Sequence, residues 1–190
     1  MGRHRGRHRL MSLYFITGNA GKFTEISTII PHLEQLDLHL DEIQSLDPKA
    51  VIEHKLAQAA SVHDGAFIVE DTSVELACID GLPGTLIKWF LDTLGVERLA
   101  DLVLRYDNHR ATVRTTIGYR DEQGGIHYFE GVYHGQIVRP RGTNGFGFDP
   151  AFIADGQTKT NAELNGPEKT AISARGIAAR KLAAQLKSAE

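Results

Sequence analysis

The apolar run Ala66–Val69 ends at two adjacent carboxylates, Glu70 and Asp71, and this junction constrains the fold more than any other feature. A short continuous apolar run is typical of a buried strand. Because open α/β sheets bind ligands at the carboxyl ends of their strands, acids at such an end indicate a site. Two neighbouring acids suit a hard divalent cation or an activated water. A solvated strand end followed by a turn explains the pair equally well at this stage.

Patterns on either side of this run predict an α/β protein. The first half is predicted to contain, in order, a strand over Leu13–Thr17, a helix over Lys22–Ile30, a strand over Leu36–Leu40 and a helix from Pro48 to about His63. The second half adds a helix over 85–105 interrupted near Gly95, a hairpin of strands Ala111–Tyr119 and His127–Val138, and a helix over Ala171–Leu186. Alternating elements followed by a hairpin favour a mixed sheet flanked by helices, with the hairpin as a second lobe.

Charge separates the first ten residues from the rest. Residues 1–10 hold four of the 21 lysines and arginines and no acid, so we interpret them as a basic, disordered extension. Residues 11–190 form one predicted domain, in which 17 basic residues face 24 acidic ones, a net charge of −7. This balance argues against a general nucleic-acid binder, and no apolar run approaches the ~20 residues that span a bilayer.

The cysteine content points to a reducing compartment. Cys78 is the single cysteine, so no intrachain disulfide is possible, and we expect a cytoplasmic protein.

Two loops at predicted strand ends carry groups suited to phosphate and metal. Thr17, Asn19 and Lys22 belong to a glycine turn that leads into the first helix, where free N–H groups attract anions. The turn lacks the P-loop sequence, and a plain turn remains the alternative. Glu42 follows the second strand and would reach the same sheet edge as Asp71 if both strands are parallel. Two such acids suit Mg²⁺.

A second group of residues lies in the last third of the chain. Phe146, Phe148 and Asp149 belong to a glycine-rich loop, in which an aromatic ring can stack on a nucleobase and a carboxylate can accept from a base N–H. Ser173 and Arg175 lie at the start of the last helix, as hydrogen-bonding groups for a base or simply as a helix cap.

Taken in order, these motifs resemble those of the inosine triphosphate pyrophosphatase family. The matching segments are Thr17-Gly18-Asn19 with Lys22, Glu70-Asp71-Thr72, Gly81-Leu82-Pro83-Gly84, Ile87-Lys88-Trp89-Phe90, Gly145–Pro150, Ala162-Glu163-Leu164, and Lys169–Arg175. They extend from about Leu13 to Leu186. The resemblance implies an elongated α/β protein with two lobes and a cleft between them, usually a homodimer.

The resemblance also implies a reaction, in which deaminated purine nucleoside triphosphates (ITP, dITP and XTP) are cut to the monophosphate and pyrophosphate with Mg²⁺. It implies that Thr17, Asn19 and Lys22 hold the phosphates and that Glu42 and Asp71 bind Mg²⁺. Asp71 would also be the base, supported by Glu70. Its further implied roles are phosphate neutralisation by Lys55 and Lys88, base stacking by Phe146, and a base pocket lined by Phe148, Asp149, Lys169, Ser173 and Arg175.

One residue departs from the family pattern. Ala174 lies between Ser173 and Arg175, where the family usually has a histidine that helps recognise the base. We therefore expect either the usual activity or the same reaction with an altered base preference. A nucleotide-binding protein without catalysis is the alternative of a different class.

Overall fold

A computed structural model describes residues 13–188. Within this range, the strands are Leu13–Ile16 (β1), Leu33–Leu36 (β2), Phe67–Leu76 (β3), Pro83–Gly84 (β4), Arg110–Arg120 (β5), Ile126–Ile137 (β6) and Phe152–Ala154 (β7). The α-helices are Ala20–Ser27 (α1), Pro48–Val62 (α2), Ile87–Val103 (α3), Gly166–Ile172 (α4) and Ala174–Ser188 (α5). The basic extension predicted for residues 1–10 lies outside the described residues.

The strands form one mixed sheet, as the sequence predicted. Its order is β2-β1-β3-β5-β6-β7, with β4 paired to β3. The strands β2, β1 and β3 are mutually parallel, whereas β5, β6 and β7 follow in antiparallel pairs. Helices α2 and α5 pack on the sheet, and buried side chains form three apolar clusters around it. The division into two lobes stays a prediction.

The prediction that a strand ends at Glu70 and Asp71 is wrong, because β3 continues to Leu76. Along this strand β5 pairs with every residue from Phe67 to Leu76, so the backbone stays extended. The short strand β1 pairs with β3 only as far as Ile68. The β1-side edge of β3 is therefore open at the two acids, which keeps them at the carboxyl end of the parallel part of the sheet.

Three further elements differ clearly from their predictions, while the others are offset by one or two residues at most. Strand β2 covers Leu33–Leu36 instead of Leu36–Leu40, and the predicted first helix is shorter, covering Ala20–Ser27. The predicted last helix is two helices, because Ser173 adopts an extended backbone between them and its hydroxyl accepts from the N–H of Gly176. The break at Ser173 orients the residues that follow it. No helix among residues 13–188 is long and apolar enough to cross a membrane.

Candidate active site

The two acids of β3 point to opposite faces of the sheet. Side chains alternate along a strand, so Glu70 shares a face with Thr72 while Asp71 faces the other way. Asp71 lies on the side of α2, where it accepts from Lys55, and Glu70 lies on the side of α5, where it pairs with Arg175. Glu70 and Asp71 thus belong to two different polar clusters, one on each face of the sheet.

The first cluster joins Glu42, Lys55 and Asp71. The Lys55 ammonium lies 2.9 Å from Glu42 Oε1 and 2.9 Å from Asp71 Oδ1. The sequence analysis expected Glu42 and Asp71 at the same edge of the sheet. In the structure both carboxylates bind one ammonium group, that of Lys55. Lys55 is buried, and Asp71 and Glu42 raise its pKa against the opposing effect of burial. Lys88 is exposed and lies 3.9 Å from Glu42 Oε2, at the mouth of the cluster.

The pKa values of the two acids shift in opposite directions. Burial raises the pKa of Asp71, although Lys55 and Lys22 act to lower it. Glu70 is also buried, yet Arg175, Lys22 and a hydrogen bond from Thr72 outweigh burial and lower its pKa to about 2. Neighbouring titratable groups whose pKa values shift in opposite directions commonly take different chemical roles. Asp71 is suited to accept a proton, whereas Glu70 is a fixed negative charge.

The glycine turn after β1 brings Lys22 to Glu70. Thr17 Oγ1 accepts from the N–H of Asn19, and the Asn19 side chain caps α1 by accepting from the N–H of Lys22. These bonds hold the turn so that the Lys22 ammonium lies 3.1 Å from Glu70 Oε2. Gly21 contacts the ring of Phe146, and a side chain at Gly21 would collide with that ring.

A second cluster surrounds a small cavity on the other face of the sheet. All six residues predicted for a base pocket line this one cavity. They are Phe146, Phe148, Asp149, Lys169, Ser173 and Arg175, joined by Thr72, Val113, Tyr133 and Ala174. The glycine-rich loop and the break between α4 and α5 therefore converge, as the motifs suggested.

The cavity is closed in this structure. Its volume is about 20 Å³, room for about one water molecule. The Phe146 ring lies over Lys169 Nζ at 4.8 Å and over the Arg175 guanidinium at 5.4 Å. The Phe146 ring therefore occupies the space over both cations, between Gly145 and Gly147, which both have positive φ.

Glu25 on α1 is a site residue that the sequence analysis missed. Its carboxylate lies 2.6 Å from Lys169 Nζ and 2.6 Å from Arg175 Nη1. Charges then alternate continuously through the site, in the order Lys22, Glu70, Arg175, Glu25, Lys169 and Asp149. Its spacing of three residues from Lys22, on the same face of α1, is the only signal in the sequence, and that signal is weak.

Tyr133 and Asn161 were also missed. The Asn161 amide donates to Tyr133 Oη over 2.7 Å and to Asp149 Oδ1 over 3.1 Å, below the cavity. No sequence motif marks either residue, because they meet only through the packing of β6 against the turn Asn161–Glu163.

Comparisons with known proteins identify the family of this chain. The model of the Ham1 family matches residues 13–185. The inosine triphosphate pyrophosphatase of Schizosaccharomyces pombe is 38% identical over 177 residues, covering 91% of this chain and 94% of that protein. The enzyme of the same name from Saccharomyces cerevisiae is 36% identical over 179 residues, covering 87% of this chain and 91% of that protein.

Solved structures share the fold. The Ham1 protein of Staphylococcus aureus aligns with a TM-score of 0.81 at 24% identity, covering 94% of this chain and 100% of that one. The dITP/XTP pyrophosphatase of Mycobacterium abscessus aligns with a TM-score of 0.68 at 25% identity, covering 93% and 99%. Family model, relatives and fold agree with the resemblance drawn from the motifs, and the chain belongs to the Ham1 family.

Proposed function

We propose that the protein hydrolyses deaminated purine nucleoside triphosphates, such as ITP, dITP and XTP, to the monophosphate and pyrophosphate. The observation that carries the proposal is the continuous chain of ion pairs. It joins the residues around the cavity to Glu70 and Lys22, beside the acid pair of β3. A nucleotide lying along this chain would place its base near Phe146 and its phosphates near Lys22. The names of the relatives support the same reaction and favour an enzyme over a non-catalytic binding protein.

The residues at Asp71 fit a divalent cation, for which we propose Mg²⁺. Asp71 Oδ2 is buried and has no hydrogen-bond partner within residues 13–188, and the partly exposed Glu42 carboxylate binds the same Lys55 ammonium as Asp71. No group of three or more His, Cys, Asp or Glu ligands occurs among residues 13–188. Mg²⁺ commonly uses one or two carboxylates, with waters and substrate phosphates completing its shell. When bound, the ion would supply positive charge to the phosphate oxygens.

The lysines and Asp71 divide the remaining work in this proposal. Lys22, Lys55 and Lys88 neutralise phosphate charge as it develops, which is the main catalytic task in phosphoryl chemistry. Asp71 takes the proton from the attacking water, because its Oδ2 has no hydrogen-bond partner among residues 13–188, whereas Lys22 and Arg175 hold Glu70. Glu70 holds Lys22 and Arg175 in place, and Thr17 and Asn19 shape the turn that binds phosphate.

The cavity residues bind the base. Phe146 stacks on the base after leaving its position over Lys169 and Arg175, and Phe148, Asp149 and Ser173 complete the pocket. We also propose that the protein is a cytoplasmic homodimer, as the resemblance implies.

Pyrophosphate release from ITP, XTP, dITP, ATP, GTP, CTP and UTP, with and without Mg²⁺, tests the proposal. We expect Mg²⁺-dependent release that is fastest with the deaminated purines. Asp71→Asn should abolish turnover and keep the fold, whereas Asp101→Asn, at an exposed ion pair with Arg139, should change neither. Single phosphate as product, or near-normal turnover by Asp71→Asn, would refute the assigned chemistry; tight nucleotide binding without turnover would favour the binding protein.

A further inference from the structure

Tyr133 forms part of the cavity wall and takes no part in the ion-pair chain. It lies on β6, is 9% exposed, and packs its ring against Phe152 with the ring centroids 4.9 Å apart. Its apolar neighbours Val113 and Ala174 line the same cavity and offer no side-chain hydrogen bond. The phenol is therefore a polar group set into an otherwise apolar part of the wall.

The hydrogen bonds below the cavity fix which way the Asn161 amide points. Its nitrogen lies 2.7 Å from Tyr133 Oη and 3.1 Å from Asp149 Oδ1. The flipped amide would bring its oxygen against the Asp149 carboxylate, where two acceptors would face each other. The amide therefore donates to both groups, and the phenol oxygen of Tyr133 is an acceptor in this bond.

The Tyr133 hydroxyl thus keeps its own hydrogen for another partner. Among residues 13–188, no acceptor is bonded to this O–H group. Burial and the nearby Asp149 raise the pKa of Tyr133, so the phenol stays protonated. A buried O–H group needs an acceptor, and Tyr133 lines the cavity in which the base would lie.

We infer that Tyr133 is a specificity-determining residue of the base pocket, whose O–H donates to a carbonyl oxygen of the base, and that Asn161 positions it. This inference rests on the proposed function. Hypoxanthine and xanthine carry a carbonyl where adenine carries an amino group, which is itself a donor. A fixed O–H donor therefore favours purines with this carbonyl, guanine included, over adenine, whose amino group it meets donor to donor.

The two charged donors on the cavity already pair with carboxylates. Lys169 pairs with Glu25 and Asp149, and Arg175 pairs with Glu25 and Glu70. Ser173 is the competing hydroxyl, because its oxygen accepts from the N–H of Gly176 while its own hydrogen has no recorded acceptor within residues 13–188. The test has to separate Tyr133 from Ser173.

The ratio of kcat/KM for ITP to that for ATP, measured by pyrophosphate release, is the deciding quantity. Tyr133→Phe removes the O–H and keeps the ring, so we expect kcat/KM for ITP to fall about tenfold and that for ATP by less than about twofold. Tyr128→Phe is the matched control, since Tyr128 lies on the same strand, is exposed, and donates to Glu53 outside the cavity. The control should leave the ratio unchanged.

Asn161→Leu is a second test, which leaves the Tyr133 side chain itself unchanged. It removes the amide that orients Tyr133, so the ITP to ATP ratio should fall in the same direction. Because Asn161 also donates to Asp149, the double variant with Tyr133→Phe should lose no more of this ratio than Tyr133→Phe alone. It also serves if thermal denaturation shows that Tyr133→Phe does not fold. An unchanged ratio in the folded variants, an equal loss with both nucleotides, or a collapse with Ser173→Ala alone would overturn the role of Tyr133. A wild-type protein that releases no pyrophosphate from ITP would instead refute the proposed function.

Discussion

Glu25 is the residue whose replacement should reveal how strongly the ion-pair chain holds the fold together. Its side chain is 12% exposed and joins α1 to the segment Lys169–Arg175, far away in sequence. The change Glu25→Gln keeps the shape of the side chain and removes the charge. It leaves Lys169 with Asp149 and Arg175 with Glu70 as their only carboxylate partners among the described residues.

The cost follows from the bonds that are lost. Each charge-assisted hydrogen bond in a buried site contributes about 1.5–3 kcal/mol, and Glu25 accepts two of them. The uncharged glutamine oxygen can still accept one bond, worth about 1 kcal/mol, so we expect a loss of about 2–5 kcal/mol in the free energy of unfolding at neutral pH. With a urea slope of ~2 kcal/mol/M, the midpoint should fall by about 1–2.5 M.

The stability lost in Glu25→Gln should become smaller as the pH falls. Burial acts to raise the pKa of Glu25, but Arg175 and Lys169 outweigh it and hold this pKa below its ordinary value of 4.5. A carboxyl with a lowered pKa stabilises the fold at pH values above its ordinary pKa, and this contribution disappears as the pH falls through the folded-state pKa. The difference between wild type and Glu25→Gln should therefore shrink below pH 4.5.

Urea unfolding followed by circular dichroism at pH 7 and at about pH 4 measures both effects. Glu53→Gln is the matched control, because Glu53 is half-exposed in an ion pair with Lys49 on α2 and should change stability by less than about 1 kcal/mol. A loss no larger than that of the control, or one that stays constant as the pH falls, would show that Glu25 is not a charged link between Lys169 and Arg175.

The sequence predicted the elements with strong local signals. Asp47 and Pro48 start α2 as expected, since the Asp47 side chain accepts from the N–H of Lys49. The interruption near Gly95 is also observed, with φ at 75° inside α3. Caps, prolines and glycines act through neighbouring residues, so their effect can be predicted from a short stretch of sequence.

The strand β3 shows where local reasoning fails. Charged residues at Glu70 and Asp71 suggested an end, yet both acids lie within the strand because cations from other segments pair with them. Lys22, Lys55 and Arg175 come from three different helices or turns. Tertiary pairing of this kind overrides the low strand propensity of acids, and it is absent from the sequence pattern around them.

The site residues also divide into those that local sequence patterns predicted and those that they did not. Motifs indicated the residues of the cavity wall because glycines, aromatics and charges cluster within short segments. Glu25, Tyr133 and Asn161 escaped because each is ordinary in its own segment and gains a role only by contact with residues far along the chain. An acid on an amphipathic helix and a tyrosine in a long strand are more often surface and core residues.

Two further predictions concern the packing around the cavity. Gly131→Ala on β6 would drive a methyl group into the backbone of α5 at Ala174, so we expect a loss of about 1–3 kcal/mol in urea unfolding, whereas Gly166→Ala, at an open position, should cost little. Phe146→Ala would remove the ring that covers Lys169 in the closed cavity and that we propose to stack on the base. Because stacking contributes about 1–3 kcal/mol per base, the dissociation constant of IMP measured by calorimetry should rise about 5- to 150-fold. Unchanged IMP binding by Phe146→Ala would mean that the ring only closes the cavity and that the base binds elsewhere.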